Sequence, residues 1–201
     1  MDDIYCFDLD GTITSTELLP LIASEVGLMH EFNVLTQLTM DGQIHFDDSM
    51  RLRCAILRNI PISTVQNIVL TVPLFERLVD FIREHKDSCY VVTGNLDIWV
   101  KPLIEQIGCG FYASSTVTDK DTLLNLDYIM HKSDAIKELR HKHPNSRIVA
   151  VGDGFNDIPM FEASDVTIAT GLVHEPNFDL VKISDFLVYK EESLCRTLNM
   201  L

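Results

Sequence analysis

The sequence predicts an α/β fold in which a mostly parallel sheet is covered by helices on both faces and carries a small helical lobe after its first strand. Three observations predict it. An apolar, strand-like run lies near the N-terminus, residues 28–71 show only helical periodicity, and short apolar runs alternate with helical patterns from residue 74 onward. Strands that alternate with helices form parallel sheets, because each crossover helix packs against a face of the sheet.

The first elements frame the inserted lobe. Residues 3–7 (DIYCF) are typical of a short buried strand, and Ser15–Gly27 is predicted to be a helix that begins at Ser/Thr residues and ends at glycine. Residues 28–71 continue with helical patterns and contain no strand pattern. We therefore expect a core domain made of residues 1–14 and 74–201, and a helical domain made of residues 15–73.

The rest of the chain alternates between the two kinds of element. Helices are predicted over residues 74–85, 96–107, 134–143, 155–163 and 191–199. Strands are predicted over residues 89–93, 147–151, 166–169 and 186–188, with a β-hairpin over 109–130 that turns at 118–121. Pro102 lies inside the second of these helices, where proline removes a backbone hydrogen bond.

Composition and charge narrow the classes of function. Apolar residues make up 46% and charged residues 23% of the 201 residues, which is typical of a globular enzyme. The net charge of −14 argues against a nucleic-acid partner, because phosphate backbones bind basic surfaces. No apolar run is long enough to span a membrane, and the acidic N-terminus lacks the pattern of a secretion signal. The five cysteines are dispersed and odd in number, which indicates reduced thiols and a cytoplasmic location.

Polar side chains follow three of the predicted strands. Asp8 and Asp10 follow the first strand, and as residues i and i+2 of an extended segment they can point to the same side. Thr93 and Gly94 end a second strand, and Asp153 follows a third. Ligands of parallel sheets bind beyond the carboxyl ends of the strands, so we expect these side chains to share one crevice.

The acidic residues of this crevice require a cation. With Asp157 included, four carboxylates converge, and each anion raises the pKa of the others. A hard divalent ion such as Mg²⁺ relieves the repulsion, since it prefers carboxylate oxygens as ligands. The ion also allows a phosphate group to approach an acidic protein. The residues therefore predict a Mg²⁺ site at these strand ends.

Four motifs resemble those of the haloacid dehalogenase superfamily. In chain order they are FDLDGT, VVTG, a lysine after a variable stretch, and GDGFND. The resemblance implies a Rossmann-like core and a reaction through an aspartyl-phosphate, with Asp8 as the nucleophile. It also implies that Asp10 protonates the leaving oxygen and then deprotonates water, while Thr93 binds a phosphoryl oxygen.

The resemblance also implies a lysine that pairs with the phosphate and with Asp8, and a set of metal ligands. Lys132 is the candidate lysine because HKSDAIKEL puts it just before a helix, with Lys120 and Lys137 as alternatives. The implied Mg²⁺ ligands are Asp8, Asp153 and the backbone carbonyl of Asp10, with Asp157 and Asn156 in or just behind the metal shell.

The inserted lobe resembles the helical cap of the phosphoserine phosphatases within this superfamily. The similarity lies in FDLDGTITSTELLPLIASEVG and in MDGQIHFDDSMRLRCAILRNIP. Phosphoserine has an ammonium group, which Glu17 can bind, and a carboxylate, which Arg53 can bind through two parallel hydrogen bonds. Arg51 and Arg58 compete with Arg53 for this role. The expected substrate-contacting residues are Glu17, Met40, Phe46, Arg53, Gly94, Asn95 and Asn156.

Two segments depart from the phosphoserine phosphatase pattern. Asn95 stands where those enzymes have a glycine, which adds a side chain beside the pocket. The tip of the predicted hairpin reads TDKD and lacks the usual glycine. These departures bear on the identity of the substrate rather than on the phosphatase chemistry.

The expected function is hydrolysis of a phosphomonoester, with Mg²⁺, on O-phosphoserine or a similar small phosphorylated metabolite. The alternatives are another small phosphometabolite, transfer of the phosphoryl group to a hydroxyl other than water, a receiver-like phospho-acceptor domain, and a non-catalytic binding module. The helical insertion and the order of the acidic residues disfavour the receiver-like domain. We expect a cytoplasmic monomer or homodimer in serine biosynthesis, without a nucleic-acid or membrane partner.

Overall fold

Strands and helices alternate along most of the chain in the computed structural model, which describes residues 3–40 and 43–201, without the side chain of Met40. The strands are β1 (Asp3–Phe7), β2 (Cys89–Leu96), β3 (Gly110–Asp119), β4 (Thr122–Tyr128), β5 (Arg147–Gly152), β6 (Val166–Thr170) and β7 (Phe186–Val188). The α-helices are α1 (Leu18–Glu25), α2 (Met29–Met40), α3 (Phe46–Leu57), α4 (Ile62–Val69), α5 (Glu76–Glu84), α6 (Asp97–Ile107), α7 (Lys132–Lys142), α8 (Ile158–Glu162), α9 (Phe178–Lys182) and α10 (Glu191–Leu198). A 3₁₀ turn, Phe155–Asp157, precedes α8.

The strands form a seven-stranded sheet in the order β4-β3-β2-β1-β5-β6-β7. Every neighbouring pair is parallel except β3 and β4, which form the predicted antiparallel hairpin. The central strand β1 pairs with both β2 and β5. The carboxyl ends of these three strands therefore lie side by side, and the predicted parallel α/β fold is confirmed.

Apolar layers cover both faces of the sheet. Along β1, Tyr5 and Phe7 belong to one buried cluster, whereas Ile4 and Cys6 belong to the other, as the alternation of a strand requires. The first cluster also contains buried side chains of α5, α6 and α10, and the second contains those of α7, α8 and α9. A strand buried on both faces is apolar, which explains residues 4–7 (IYCF) of this strand.

Helices α1 to α4 form the lobe inserted after β1. Thr14 precedes the lobe and Leu74 follows it, and these two residues form an isolated antiparallel bridge. Met50 and Cys54 of the lobe belong to the same buried cluster as Trp99 of the core. The lobe therefore packs directly on the core. The division into a core domain (residues 1–14 and 74–201) and a helical domain (residues 15–73) stays a prediction, which the bridge between Thr14 and Leu74 supports.

Helix α6 continues through Pro102, and the lobe supplies a hydrogen bond in place of the one that proline removes. Proline has no N–H, so the carbonyl of Ile98 has no partner at that position of the helix. The side-chain amide of Gln66 in α4 donates to this carbonyl at 2.7 Å. The contact satisfies the helix and joins the lobe to the core.

A few elements differ from the sequence prediction. Helix α1 begins at Leu18 rather than Ser15, because the Asp10 carboxylate accepts the Leu18 N–H at 2.6 Å. Strand β2 runs beyond Thr93 to Leu96, and helix α9 was not predicted. All five cysteines are free thiols. Within the described ranges, no helix combines the length and the apolarity that crossing a bilayer requires.

Candidate active site

A cavity of about 360 Å³ lies between the lobe and the carboxyl ends of β1, β2 and β5. Its floor consists of polar residues that follow these strands, and its walls come from α1, α2 and α3. The predicted site residues that line it are Asp8, Asp10, Glu17, Phe46, Arg53, Thr93, Gly94, Asn95, Asp153 and Asn156. Met40, the remaining candidate for substrate contact, has its side chain outside the described part of the chain.

Lys132 and Asp157 do not line the cavity, and Lys132 connects Asp157 to Asp8. The Lys132 ammonium donates to Asp8 Oδ1, and it donates to Asp157 Oδ1 at 2.6 Å. The three side chains are at most 5% exposed. Helix α7 begins at Lys132, which directs this lysine to the carboxyl end of β1. Neither Lys120, at the hairpin tip, nor Lys137, which pairs with Asp134 on the surface, has this contact.

Asp8, Asp153 and Asp157 form a cluster that can hold a cation. Each offers a carboxylate oxygen, and these oxygens all lie within 4.8 Å of one another. The Asp10 carboxylate is not part of this group. Asp157 Oδ2, the oxygen that Lys132 does not contact, accepts hydrogen bonds from the backbone N–H groups of Asp153 and Gly154 at 3.0 and 2.9 Å. Asp157 therefore shapes the loop after β5 as well as contributing charge.

Gly11 makes room for this cluster. Its φ of +74° lies in the left-handed region, and a Cβ atom there would come within 2.7 Å of Asp153 Oδ2. Any L side chain would be strained by the backbone and would clash with the carboxylate. The glycine of DLDGT thus allows the loop after β1 to approach the loop after β5.

The Asp10 carboxylate is held at both oxygens. Oδ1 accepts the Leu18 N–H at the start of α1, and Oδ2 accepts the side-chain amide of Asn95. These contacts orient the carboxylate between the lobe and β2. They also distinguish Asp10 from Asp8, whose partner is the Lys132 ammonium.

Thr93, Gly94 and Asn95 lie on an irregular part of β2. The register with β3 pairs Val92 with Tyr112 but Leu96 with Ser114, so β2 has extra residues between these pairs. Such bulges re-aim side chains and often lie next to active sites. The sequence analysis ended this strand at Thr93 and did not predict the bulge, although a glycine inside a strand, here Gly94, is a local signal for one.

Burial dominates the electrostatics of the floor. It raises the pKa of Asp8 well above its ordinary value, with a further rise from Asp157 that Lys132 opposes. Burial also raises the pKa of Asp10, against the hydrogen bonds from Leu18 and Asn95, and raises the pKa of Asp153 to about 7 with help from Asp157. Uncompensated carboxylates of this kind are what a divalent cation neutralises.

Lys132 stays charged in this environment. Burial acts against its ammonium form, but the charges of Asp157 and Asp8 outweigh that effect and raise its pKa above the ordinary value. A single lysine cannot balance all the acidic residues at the floor. The donor set, oxygen-rich and carboxylate-based, therefore fits a hard divalent ion.

Glu17 and Arg53 face the cavity from the lobe. Burial, followed by the charge of Asp10, raises the pKa of Glu17 to about 7. Arg53 donates to the Thr36 hydroxyl at 2.9 Å and lies over the Phe32 ring, 5.8 Å from its centroid. Its Nε is buried without a hydrogen-bond partner among the described residues. Buried donors are normally satisfied, so Arg53 combines an unsatisfied donor with a place in the wall of the cavity.

The competing arginines point elsewhere. Arg51 and Arg58 line a different cavity, between α3 and residues 123–126 of β4. Phe46, in the first turn of α3, lies over Gly94, where a Cβ atom would be 3.5 Å from the ring. Of the three arginines in α3 and its C-terminal end, Arg53 is the one that lines the cavity above Asp8.

Sequence reasoning missed the contribution of α2. Met29, Phe32, Asn33 and Thr36 line the cavity. Their spacing of i, i+3, i+4 and i+7 is that of one helix face, which is a detectable signal. The sequence does not show which element this face packs against, so the pattern alone could not assign it to the site.

Comparisons with known proteins match most of this chain. A family described as haloacid dehalogenase-like hydrolase matches residues 6–162. The phosphoserine phosphatase of Methanocaldococcus jannaschii is 32% identical over 177 residues, which cover 83% of this chain and 84% of that protein. The phosphoserine phosphatase of Archaeoglobus fulgidus is 27% identical over 83% of this chain, which spans about half, 52%, of that protein.

Solved structures give the same result for the fold. A phospho-aspartyl intermediate analogue of phosphoserine phosphatase is 26% identical, with a TM-score of 0.75 over 94% of both chains. A substrate-bound phosphoserine phosphatase complex superimposes with a TM-score of 0.81 over 100% of this chain and 99% of that one, at 24% identity. The resemblance read from the four motifs is confirmed, and the chain belongs to the haloacid dehalogenase-like hydrolase family, where it is phosphoserine phosphatase-like.

Proposed function

We propose that this protein is a phosphomonoester hydrolase that acts through an aspartyl-phosphate on Asp8, with O-phosphoserine as the substrate. The observation that carries the proposal is the buried contact of Asp8 with Lys132 at the floor of a cavity that Glu17 and Arg53 also line. The similarity to curated phosphoserine phosphatases and to a solved phospho-aspartyl intermediate analogue supports the same reaction.

The first step transfers the phosphoryl group to the enzyme. An Asp8 carboxylate oxygen attacks phosphorus, the bond from phosphorus to the substrate oxygen breaks, and Asp10 donates its proton to that leaving oxygen. Lys132 holds Oδ1 of Asp8, which leaves Oδ2 for the attack. The raised pKa of Asp10, caused by burial, favours the protonated form that this step needs.

The second step releases phosphate. The Asp10 carboxylate accepts a proton from water, the water oxygen attacks phosphorus, and the bond to Asp8 breaks, which yields inorganic phosphate and free Asp8. The Thr93 hydroxyl donates to a phosphoryl oxygen, and the Lys132 ammonium offsets the negative charge that develops during both transfers. Asp10 returns to its protonated form, so the cycle is balanced.

Mg²⁺ is the cation proposed for the acidic cluster. Asp8, Asp153 and the backbone carbonyl of Asp10 would hold it, with Asp157 and Asn156 in or just behind its ligand shell. When bound, the ion neutralises carboxylate charge and stabilises negative charge on the phosphoryl oxygens. The carboxylate oxygens of Asp8, Asp153 and Asp157, all within 4.8 Å of one another, support this site.

Phosphoserine matches the polar groups of the walls. Its carboxylate is complementary to the Arg53 guanidinium, whose Nε has no partner in the described chain, and its ammonium is complementary to Glu17. The side chains of Phe46 and Met50 supply apolar wall. We propose a cytoplasmic enzyme that releases serine and phosphate, with another small phosphometabolite or another acceptor hydroxyl as the alternatives.

A phosphate-release screen tests the proposal. The protein is assayed with Mg²⁺ on O-phosphoserine, O-phosphothreonine and several sugar phosphates, alongside the variant Asp8→Asn. We expect the highest kcat/KM on O-phosphoserine and at least about a 10³-fold loss in the variant, since a nucleophile is removed.

Two results would contradict the proposal. Near-normal turnover by a folded Asp8→Asn variant would exclude Asp8 as the nucleophile. If the wild-type protein released phosphate from none of the phosphoesters, the phosphatase reaction would be excluded. If it preferred a sugar phosphate, the phosphatase reaction would stand and only the assignment of O-phosphoserine as the substrate would be wrong. Circular dichroism and a thermal melt of the variant show whether its fold is intact.

A further inference from the structure

The side chain of Asn95 connects two residues of the proposed reaction. Asn95 is 5% exposed and lies on the β2 bulge at the edge of the cavity. Its amide nitrogen donates to Asp10 Oδ2, and it lies 3.1 Å from the Thr93 hydroxyl oxygen, to which it also donates. One buried amide thus contacts both the proposed proton donor and the proposed phosphoryl-binding hydroxyl.

The contacts with Asn95 leave the Thr93 hydroxyl free to act only as a hydrogen-bond donor. Thr93 Oγ1 accepts from the backbone N–H of Asn95 and from its side-chain amide, both at 3.1 Å. A threonine hydroxyl has two lone pairs and one hydrogen, so both lone pairs are occupied. In the described chain the hydrogen has no acceptor, and Thr93 lines the cavity. The hydroxyl is therefore set to donate to a ligand.

The contact with Asp10 fixes the orientation of its carboxylate. The Leu18 N–H holds Oδ1 at 2.6 Å from one side, and the Asn95 amide holds Oδ2 from the other. With glycine at position 95, the second contact would be absent and the carboxylate could rotate about its Cβ–Cγ bond. Proton transfer requires this group to lie within hydrogen-bond reach of the leaving oxygen.

We propose that Asn95 is a positioning residue that orients the Asp10 carboxylate and makes Thr93 a hydrogen-bond donor for phosphoryl transfer. The inference rests on the proposed function and extends it. It assigns Asn95 a task in the transfer step, in addition to lining the cavity beside the substrate. The residue type is specific, because its amide must donate to two oxygens at once, and an aspartate of the same shape could donate to neither.

The test compares two substrates that differ in their need for a proton donor. Serine leaves O-phosphoserine as a poor leaving group, whereas p-nitrophenyl phosphate releases a stable phenolate that needs little protonation. We expect Asn95→Gly and Asn95→Asp to lower kcat/KM about 10- to 100-fold on O-phosphoserine, chiefly through kcat, a cost typical of a misplaced catalytic group. The value of kcat/KM reports the first transfer, in which the leaving group departs, and not the hydrolysis of the aspartyl-phosphate that both substrates share. The loss on p-nitrophenyl phosphate should be several-fold smaller.

Ser114→Ala is the matched control. The Ser114 hydroxyl donates to the Gly94 carbonyl at 2.8 Å and accepts the Met130 N–H at 3.0 Å, so its loss loosens the same bulge without touching Asp10 or Thr93. We expect this variant to keep the wild-type ratio of activities on the two substrates. In the double variant Thr93→Val/Asn95→Gly, the loss should be smaller than the product of the single losses, because both changes remove one shared arrangement.

Each outcome decides the inference. Equal losses of kcat/KM on both substrates, a change in KM alone, or a ratio of kcat/KM values shifted as much by Ser114→Ala would overturn it. If the wild-type protein releases phosphate from neither substrate, the proposed function fails and the inference fails with it. If the wild-type protein is active and both Asn95 variants retain wild-type kcat, only the inference fails.

Discussion

At the scale of single residues, Glu17 predicts a pH dependence of substrate binding. Its pKa is raised to about 7 by burial and then by the charge of Asp10. As the pH falls through this value, the carboxylate becomes neutral and loses its attraction for the substrate ammonium. We expect the KM for O-phosphoserine to rise by up to about tenfold per pH unit below the midpoint, since one pKa unit corresponds to a tenfold change.

Steady-state kinetics between pH 5.5 and 8.5 at saturating Mg²⁺ check this prediction. A bound cation lowers the pKa of Glu17, so the midpoint should lie at or below about 7. Glu17→Gln should flatten the dependence, and p-nitrophenyl phosphate, which has no ammonium, should not show it. A variant that keeps the wild-type pH dependence would remove Glu17 from ammonium binding.

Arg53 predicts a difference between substrates. Hydrogen bonds to a charged group contribute about 1.5–3 kcal/mol, so Arg53→Ala should weaken kcat/KM for O-phosphoserine about 10- to 100-fold. The same change should affect p-nitrophenyl phosphate much less, because that substrate has no carboxylate. Arg51→Ala is the matched control, since Arg51 is on the same helix but lines the other cavity. Equal losses on both substrates would exclude Arg53 from carboxylate binding.

At the scale of elements, the hairpin tip holds the N-terminus of α4. Asp121 accepts the Ser63 N–H and the Ser63 hydroxyl, each at 2.7 Å, and its carbonyl accepts the Ile62 N–H at 2.9 Å. The turn residue Lys120 has a φ of 52°, the left-handed conformation for which glycine is usually chosen. The tip without glycine, a departure noted in the sequence, therefore supplies a cap for a helix of the lobe.

Removing this cap should loosen α4. We expect Asp121→Ala to increase amide hydrogen exchange at residues 62–69 and to lower the thermal midpoint by a few degrees, because the first N–H groups of a helix lose their acceptor. Asp119→Ala removes an equal charge from the same hairpin and is the control. If amide exchange in α4 rises equally in both variants, the loss of a negative charge causes the effect, and the loss of the helix cap does not.

The elements also show what a sequence can predict and where it stops. Periodicity predicted the strands and the longer helices, because burial on a sheet imposes a repeat that the residues record. Helix α9 was missed because it has five residues and no periodicity of its own. Gln66, which is distant in sequence, supplies a hydrogen bond in place of the one that Pro102 removes from α6, and no local pattern reports such a contact.

The site divides in the same way. The strand ends pointed to Asp8, Asp10, Thr93 and Asp153, because the carboxyl ends of parallel strands meet at one edge of the sheet. Lys132 followed from the resemblance to the family motifs, since it begins a helix. The choice of Arg53 over its neighbours and the task of Asn95 depend on side-chain direction and on the β2 bulge. Packing decides both, and the sequence contains only the residue types.

At the scale of the whole molecule, the acidic floor opposes folding at neutral pH when no cation is bound. The pKa values of Asp8, Asp10, Asp153 and Glu17 are all raised, chiefly by burial. A carboxyl group whose pKa is raised by folding contributes to stability in its protonated form, and this contribution is complete below the pKa of the unfolded state, near 4. The contribution is lost as the pH rises through the pKa of the folded state, which is about 7 for Asp153 and Glu17. The metal-free protein should therefore lose this stability between about pH 4 and pH 7.

Mg²⁺ should restore the stability lost at the higher pH. A ligand at 100 times its dissociation constant stabilises the folded state by about 2.7 kcal/mol, which corresponds to a rise in Tm of about 5–10 °C for a chain of this size. We expect such a rise at pH 8 and a much smaller one at pH 5, where protonated carboxyl groups bind the ion poorly. Thermal melts of EDTA-treated protein with added MgCl₂, or with NaCl at equal ionic strength, measure the difference. Asp153→Asn should raise the Tm of the metal-free protein at pH 8 and reduce the response to Mg²⁺, because the same charge that opposes folding binds the ion. An equal response at both pH values would mean that the ion binds away from this floor.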